Sequence, residues 1–209
     1  MRKLVIFLKP VAVSIAVMAI VVFSHSLAKA DPVTFSTTGV FSVSGTNVVA
    51  FSNISGTTTI TFNGTTDSVN TPAGASFGDI VVTSTVPPNQ AGVAVAGNFT
   101  LNFIQTSPSS GNGNLLGTLS GTLGFNSGIA TLTFTTTSLT INGFTYTVNP
   151  SYTIALPVTG VGGGAGTGTT TIQGTLVGSA VPEPTSMLLL GTGLLGIAGA
   201  ARLKFRGEK

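Results

Sequence analysis

The chain has 209 residues, with 8 Lys and Arg, 5 Asp and Glu and a formal net charge of +3. That charge is all at the ends: no Lys or Arg lies between Ala30 and Arg202, and the acids ahead of Pro182 are Asp31, Asp67 and Asp79. The body therefore has no basic patch to neutralise phosphates, which excludes nucleic-acid binding. The absence of Cys excludes disulfides, thiolate chemistry and Cys-ligated metals.

In chain order, the first feature is an address. Met1-Arg2-Lys3 with Lys9 makes a positive start, Val11 to Phe23 is an apolar core, and Ala28-Lys29-Ala30 is an A-x-A cleavage site. This predicts a secretory signal peptide over residues 1–30, cut after Ala30. The exported part, residues 31–180, is then about 150 residues, enough for one domain with one core.

Through this part Thr, Ser, Gly and Asn alternate with Val, Ile, Leu and Phe. Period-two patterning with abundant β-branched residues argues strands. Thr59-Ile60-Thr61-Phe62, Phe99-Thr100-Leu101-Asn102-Phe103 and Thr131-Leu132-Thr133-Phe134-Thr135 are clean examples. The pattern places strands near 33–44, 47–53, 57–63, 79–86, 92–105, 115–125, 129–141, 143–148, 151–156 and 169–178. Asn63-Gly64 and Asn142-Gly143 read as tight hairpin turns, since both central positions tolerate positive φ. Pro87 to Gln90 and Ser107 to Asn114 read as loops. Short strands with polar connections predict an all-β fold, an antiparallel β-sandwich of jelly-roll-like form. No fixed repeat supports a solenoid. Phe35, Phe41, Phe51, Phe62, Phe99, Phe103, Phe125 and Phe134 are the expected core.

The chemistry available to this domain is sparse. The sole histidine, His25, falls in the signal peptide, so no Ser-His-Asp arrangement and no His-ligated metal can form downstream. Asp67 and Asp79 are the remaining pair for a glycosidase, which needs two carboxyls at a defined separation. They are also weak candidates for a Ca²⁺ site, with Asp31 a third, although no D-x-D-x-D-G spacing is present. Their plainest role is as exposed turn residues. Gly160 to Gly168 is Gly-rich, but no Lys in Walker spacing follows, so it reads as a loop and not a phosphate cradle. No cofactor, metal or enzymatic activity is expected.

The C-terminus holds three parts in a fixed order. Pro182-Glu183-Pro184 comes first; its prolines lock φ and deny backbone donors, so it stays extended. An apolar run, Met187 to Ala201, follows within a single predicted transmembrane helix over about 185–201. Its 15 residues span about 22 Å as helix, short of a hydrocarbon core of about 30 Å. A basic tail over 202–209 carries Arg202, Lys204 and Arg206, which belong on the cytoplasmic side and set the orientation.

This tripartite tail, residues 181–209, resembles the PEP-CTERM sorting signal of Gram-negative bacteria. The resemblance implies recognition by an exosortase at Pro182, Glu183 and Pro184, transient residence in the inner membrane, and transfer or release to the cell surface or matrix. It further implies a link to exopolysaccharide and biofilm formation. The loop and last strand ahead of the tail also loosely resemble the bacterial choice-of-anchor β-domains. The expected function is thus a non-enzymatic surface or matrix protein. A cell-surface carbohydrate-binding module and a secreted glycoside hydrolase stay open as alternatives, the missing Trp counting against the former.

Overall fold

The computed structural model describes residues 32–88, 90–157, 166–178, 189 and 191–196. A strand whose every second residue is apolar can bury one face and wet the other, and this period dictates most of the elements. Twelve strands follow in order: β1 (Val33–Phe41), β2 (Val48–Asn53), β3 (Gly56–Asn63), β4 (Thr66–Val69), β5 (Ala73–Ser84) and β6 (Val93–Ser107). Then come β7 (Gly111–Leu123), β8 (Ala130–Phe134), β9 (Ser138–Ile141), β10 (Phe144–Val148), β11 (Ser151–Thr153) and β12 (Thr167–Gly178). They form two curled six-stranded sheets, β11-β8-β7-β6-β1-β4 and β2-β3-β5-β12-β10-β9. Every pairing is antiparallel.

The inner faces meet in an aromatic core. Phe35 of β1 and Phe103 of β6 come from the first sheet, Phe77 of β5 and Tyr146 of β10 from the second. Across the two sheets their rings sit 5.0 Å (Phe77–Phe103, Phe103–Tyr146) to 5.6 Å (Phe35–Phe77, Phe35–Tyr146) apart, in the tilted and edge-on geometries that suit ring quadrupoles. A second group joins Phe99 to Phe41, Phe62 and Phe134. Of the eight phenylalanines expected inside, seven are buried and Phe51 is partly so.

The sandwich agrees with the sequence reading, but its order differs from a jelly roll, which has eight strands in two Greek keys. Here β6, β7 and β8 run as a meander and β12, the last strand, sits between β5 and β10. Three local expectations also change, and one holds. The segment read as one strand over 129–141 is two, in different sheets: Thr135 donates its N–H to Leu116 O in the first sheet, and Thr137 O accepts from Val148 N in the second. Ser107 to Asn114 is mostly strand, because β6 and β7 continue almost to a short turn at 108–110. Asn63-Gly64 is not a hairpin, since β3 and β4 belong to different sheets. Asn142-Gly143 is one, with φ of 49° and 83° as a type I′ turn requires.

Strand β5 begins at Ala73, six residues before the expected start. Its pattern is interrupted by a bulge, where Phe77 and Gly78 together oppose Ile172 of β12. The extra residue flips the phase, so Phe77 and then Ile80 both point into the core. Gly78 has φ of 120°, and a Cβ there would lie 2.6 Å from Asn63 O, so only glycine fits.

Residue 189 and residues 191–196 are helical. The rest of the transmembrane helix expected over 185–201 lies outside the described residues, and among those described no helix is long and apolar enough to cross a membrane. The signal peptide (1–30) and most of the loop Gly160 to Gly168 also lie outside them; Thr167 and Gly168 of that loop open β12.

Candidate functional site

The residues expected to act are concentrated in segments beyond the sandwich. Ala28 and Ala30, Asp31, the sorting residues Pro182, Glu183 and Pro184, and the basic residues Arg202, Lys204 and Arg206 all lie outside the described residues. Within the sandwich, only Asp67 and Asp79 carry formal charge among the described residues.

Neither aspartate is in a turn. Asp67 sits in β4, the edge strand of the first sheet, directly opposite the buried Phe35. Opposite residues on antiparallel strands share a face, so this exposed carboxylate leaves the edge on its core-facing side. Its Oδ1 accepts from Ser68 N at 2.7 Å. Asp79 lies in β5, between Asn63 of β3 and Thr171 of β12. Its neighbour Ile80 points inward, so Asp79 faces outward, and its Oδ1 accepts from Thr171 Oγ1 at 2.6 Å. The two carboxylates thus belong to different sheets and do not face each other across a cleft. Among the described residues no three His, Cys, Asp or Glu gather as a metal site would need.

The other polar chemistry is neutral and mostly internal. Tyr146 OH donates to Gln105 Oε1 at 2.8 Å, joining the two sheets through the core, and Gln105 Nε2 donates to Ser109 O at 2.9 Å. Thr58 Oγ1 of β3 donates to Leu123 O of β7 at 3.1 Å, again between sheets. Thr37 Oγ1 donates to Phe77 O at 2.8 Å and accepts from Thr65 N at 3.0 Å. Tyr152 OH donates to Gln173 O while accepting from Asn149 N. No buried side-chain polar atom among the described residues lacks a partner. Burial pushes the Tyr146 phenol up to about 12 and raises that of Tyr152 as well.

The outer faces are arrays of hydroxyls and amides. On the first sheet Asn102 pairs with Asn114 and Thr38, flanked by the half-exposed Ile104 and Leu116. On the second, Thr59 stands between Ala50 and Thr83, and Thr83 pairs in turn with Thr167. Sequence reasoning did not single out these registers, because alternating Thr and Asn is also how any strand meets water.

Such a body offers binding surface but few groups that do chemistry, so the distinctive feature is the tail. Residues 180–203 match the PEP-CTERM protein-sorting motif. The motif begins two residues after the last strand ends at Gly178. It supports exosortase-dependent sorting of an exported protein and membrane-associated handling of its C-terminus. No curated protein and no solved structure matches the chain.

Proposed function

We propose that the chain is the precursor of a non-enzymatic protein of the cell surface or extracellular matrix. The signal peptide takes it across the inner membrane of a Gram-negative bacterium. The apolar run and Arg202, Lys204 and Arg206 hold it there, and an exosortase cuts near Pro182-Glu183-Pro184. The sandwich then works outside the cell in association with exopolysaccharide and biofilm. The observation that carries this reading is the sorting motif over residues 180–203, directly behind a β-domain with no cation. A domain without Lys, Arg, His or Cys has no general base beyond two separated carboxylates, which favours a structural role over catalysis.

A second reading, a carbohydrate-binding module, is favoured by the Asn102–Asn114 pair beside Ile104 and Leu116. Amides meet sugar hydroxyls and the two apolar side chains meet sugar C–H faces. Cell fractionation with and without a working exosortase tests the main reading. Transfer of the sandwich from inner membrane to surface only when the enzyme is present is the expected result; equal transfer without it refutes the reading. Loss of glycan retention in an Asn102→Ala, Asn114→Ala variant of the processed protein would favour the module.

A further inference from the structure

The sandwich has two ends, and the chain enters and leaves at the same one. Val33 opens β1 opposite Val69, and its neighbour Thr34 pairs with Ser107 at the close of β6. Gly178 closes β12 opposite Phe144, the first residue of β10. Asn142, in the turn before Phe144, donates through Nδ2 to Ser110 O at 2.9 Å in the β6–β7 turn. A Cβ on Gly178 would lie 2.8 Å from Thr71 Oγ1. Entry, exit and the turns at 70–72, 108–110 and 142–143 are therefore gathered together, and none of the residues of those three turns is charged. The opposite end is built from the β2–β3 turn, the β5–β6 connection and the β7–β8 turn, tied by Asn53 Nδ2 to Gly92 O and Ser127 Oγ to Gln90 O.

The exit strand is firmly held. β12 is hydrogen-bonded on both sides as far as Leu176, Gly178 is still paired with Phe144 of β10, and Ile172 and Leu176 are fully buried, so the strand cannot be drawn out past Leu176 without opening the second sheet. Ser179, Ala180 and Val181 alone separate it from Pro182. Fully extended, that link reaches no more than about 14 Å. An enzyme gripping Pro182-Glu183-Pro184 is then brought against the folded domain.

We propose that this end of the sandwich, the turns 70–72, 108–110 and 142–143 around Gly178, is the surface on which the processing enzyme seats. The inference rests on the processing reading above. The occupant is an enzyme because the sorting motif follows within one short link, and what it meets on the three turns is hydroxyls, amides and prolines.

The test follows conversion of precursor to processed protein by pulse-chase in the native host. A Ser109→Arg, Ser110→Arg variant keeps the backbone carbonyls that accept from Gln105 and Asn142, and places two bulky cations on the surface. Conversion slows by about fivefold or more, and ten Gly/Ser residues inserted between Ser179 and Ala180 restore it. Asn70→Arg, in a separate turn, slows conversion independently. Pro88→Arg, at the opposite end, leaves it unchanged. Wild-type conversion rates in both Arg variants, with unchanged thermal midpoints, overturn the inference while leaving processing intact. Absence of conversion in the wild type, or full conversion of Glu183→Ala, overturns both.

Discussion

At the scale of single residues, hydroxyls and amides do the work that ion pairs do elsewhere. Tyr146 and Gln105 are buried together and satisfy each other across the core. Tyr146→Phe leaves the Gln105 carbonyl oxygen buried without a donor, which costs about 1–3 kcal/mol. Chemical denaturation reads this as a lower midpoint at unchanged slope. The same tyrosine makes stability depend on alkaline pH. Its folded-state value, about 12, lies above the ordinary 10 of an unfolded chain. The unfolded state therefore loses its proton first, and the stabilisation present below pH 10 is lost as pH rises toward 12. Thermal melts should show a falling midpoint over that window, and a smaller fall in Tyr146→Phe. Thr58→Val removes a hydroxyl that bridges the sheets and leaves Leu123 O with one partner fewer; about 1 kcal/mol is expected from the same measurement.

At the scale of elements, the edges are guarded by different devices. β4 carries Asp67 on its core-facing side, and an inward charge discourages a second strand from docking. Thr46 Oγ1 donates to Val48 O and accepts from Val48 N, closing the start of β2. Thr170 Oγ1 accepts from Ala155 N beyond β11 and ties that edge to β12. Side-by-side association, which bare Thr-rich strands invite, is thereby reduced. Asp67→Val should produce concentration-dependent association in sedimentation, with the fold retained; a monomer at all concentrations contradicts this role.

These elements also mark the limit of what could be read from sequence. β1, β3 and β6 are plain in the alternation because they keep one phase from end to end. β5 hides its first half because the bulge at Phe77 and Gly78 reverses the phase. The change of sheet at Thr135 to Thr137 lacks the Gly or Pro that usually punctuates a break. β4, Thr66-Asp67-Ser68-Val69, is too polar and short to stand out, and Asp favours turns, so Asp67 reads as loop. The sorting tail was legible because its logic is linear: rigid acid, apolar run, basic end. What the sheets' outer faces align, such as Asn102 with Asn114, depends on register and has no linear signature.

For the whole molecule, every Lys, Arg and His lies ahead of Asp31 or from Arg202 onward, and the strands between carry only Asp67 and Asp79. With no Lys, Arg or His among the described strands, the domain owes nothing to ion pairs. Its thermal midpoint should stay within about 2 °C between about 10 and about 500 mM NaCl; a strong drop would mean that charge contributes after all. On the proposed function the sandwich is the product and both ends are disposable. Intact mass of the protein recovered from the native host, beside a Glu183→Ala variant, tests this most directly. The wild type is expected outside the inner membrane with its mass reduced by residues 1–30 and by the segment from Met187 to Lys209, and the variant retained in the membrane with that segment present. A wild type that keeps Met187 to Lys209 and stays in the inner membrane would make the tail a plain anchor and contradict the account.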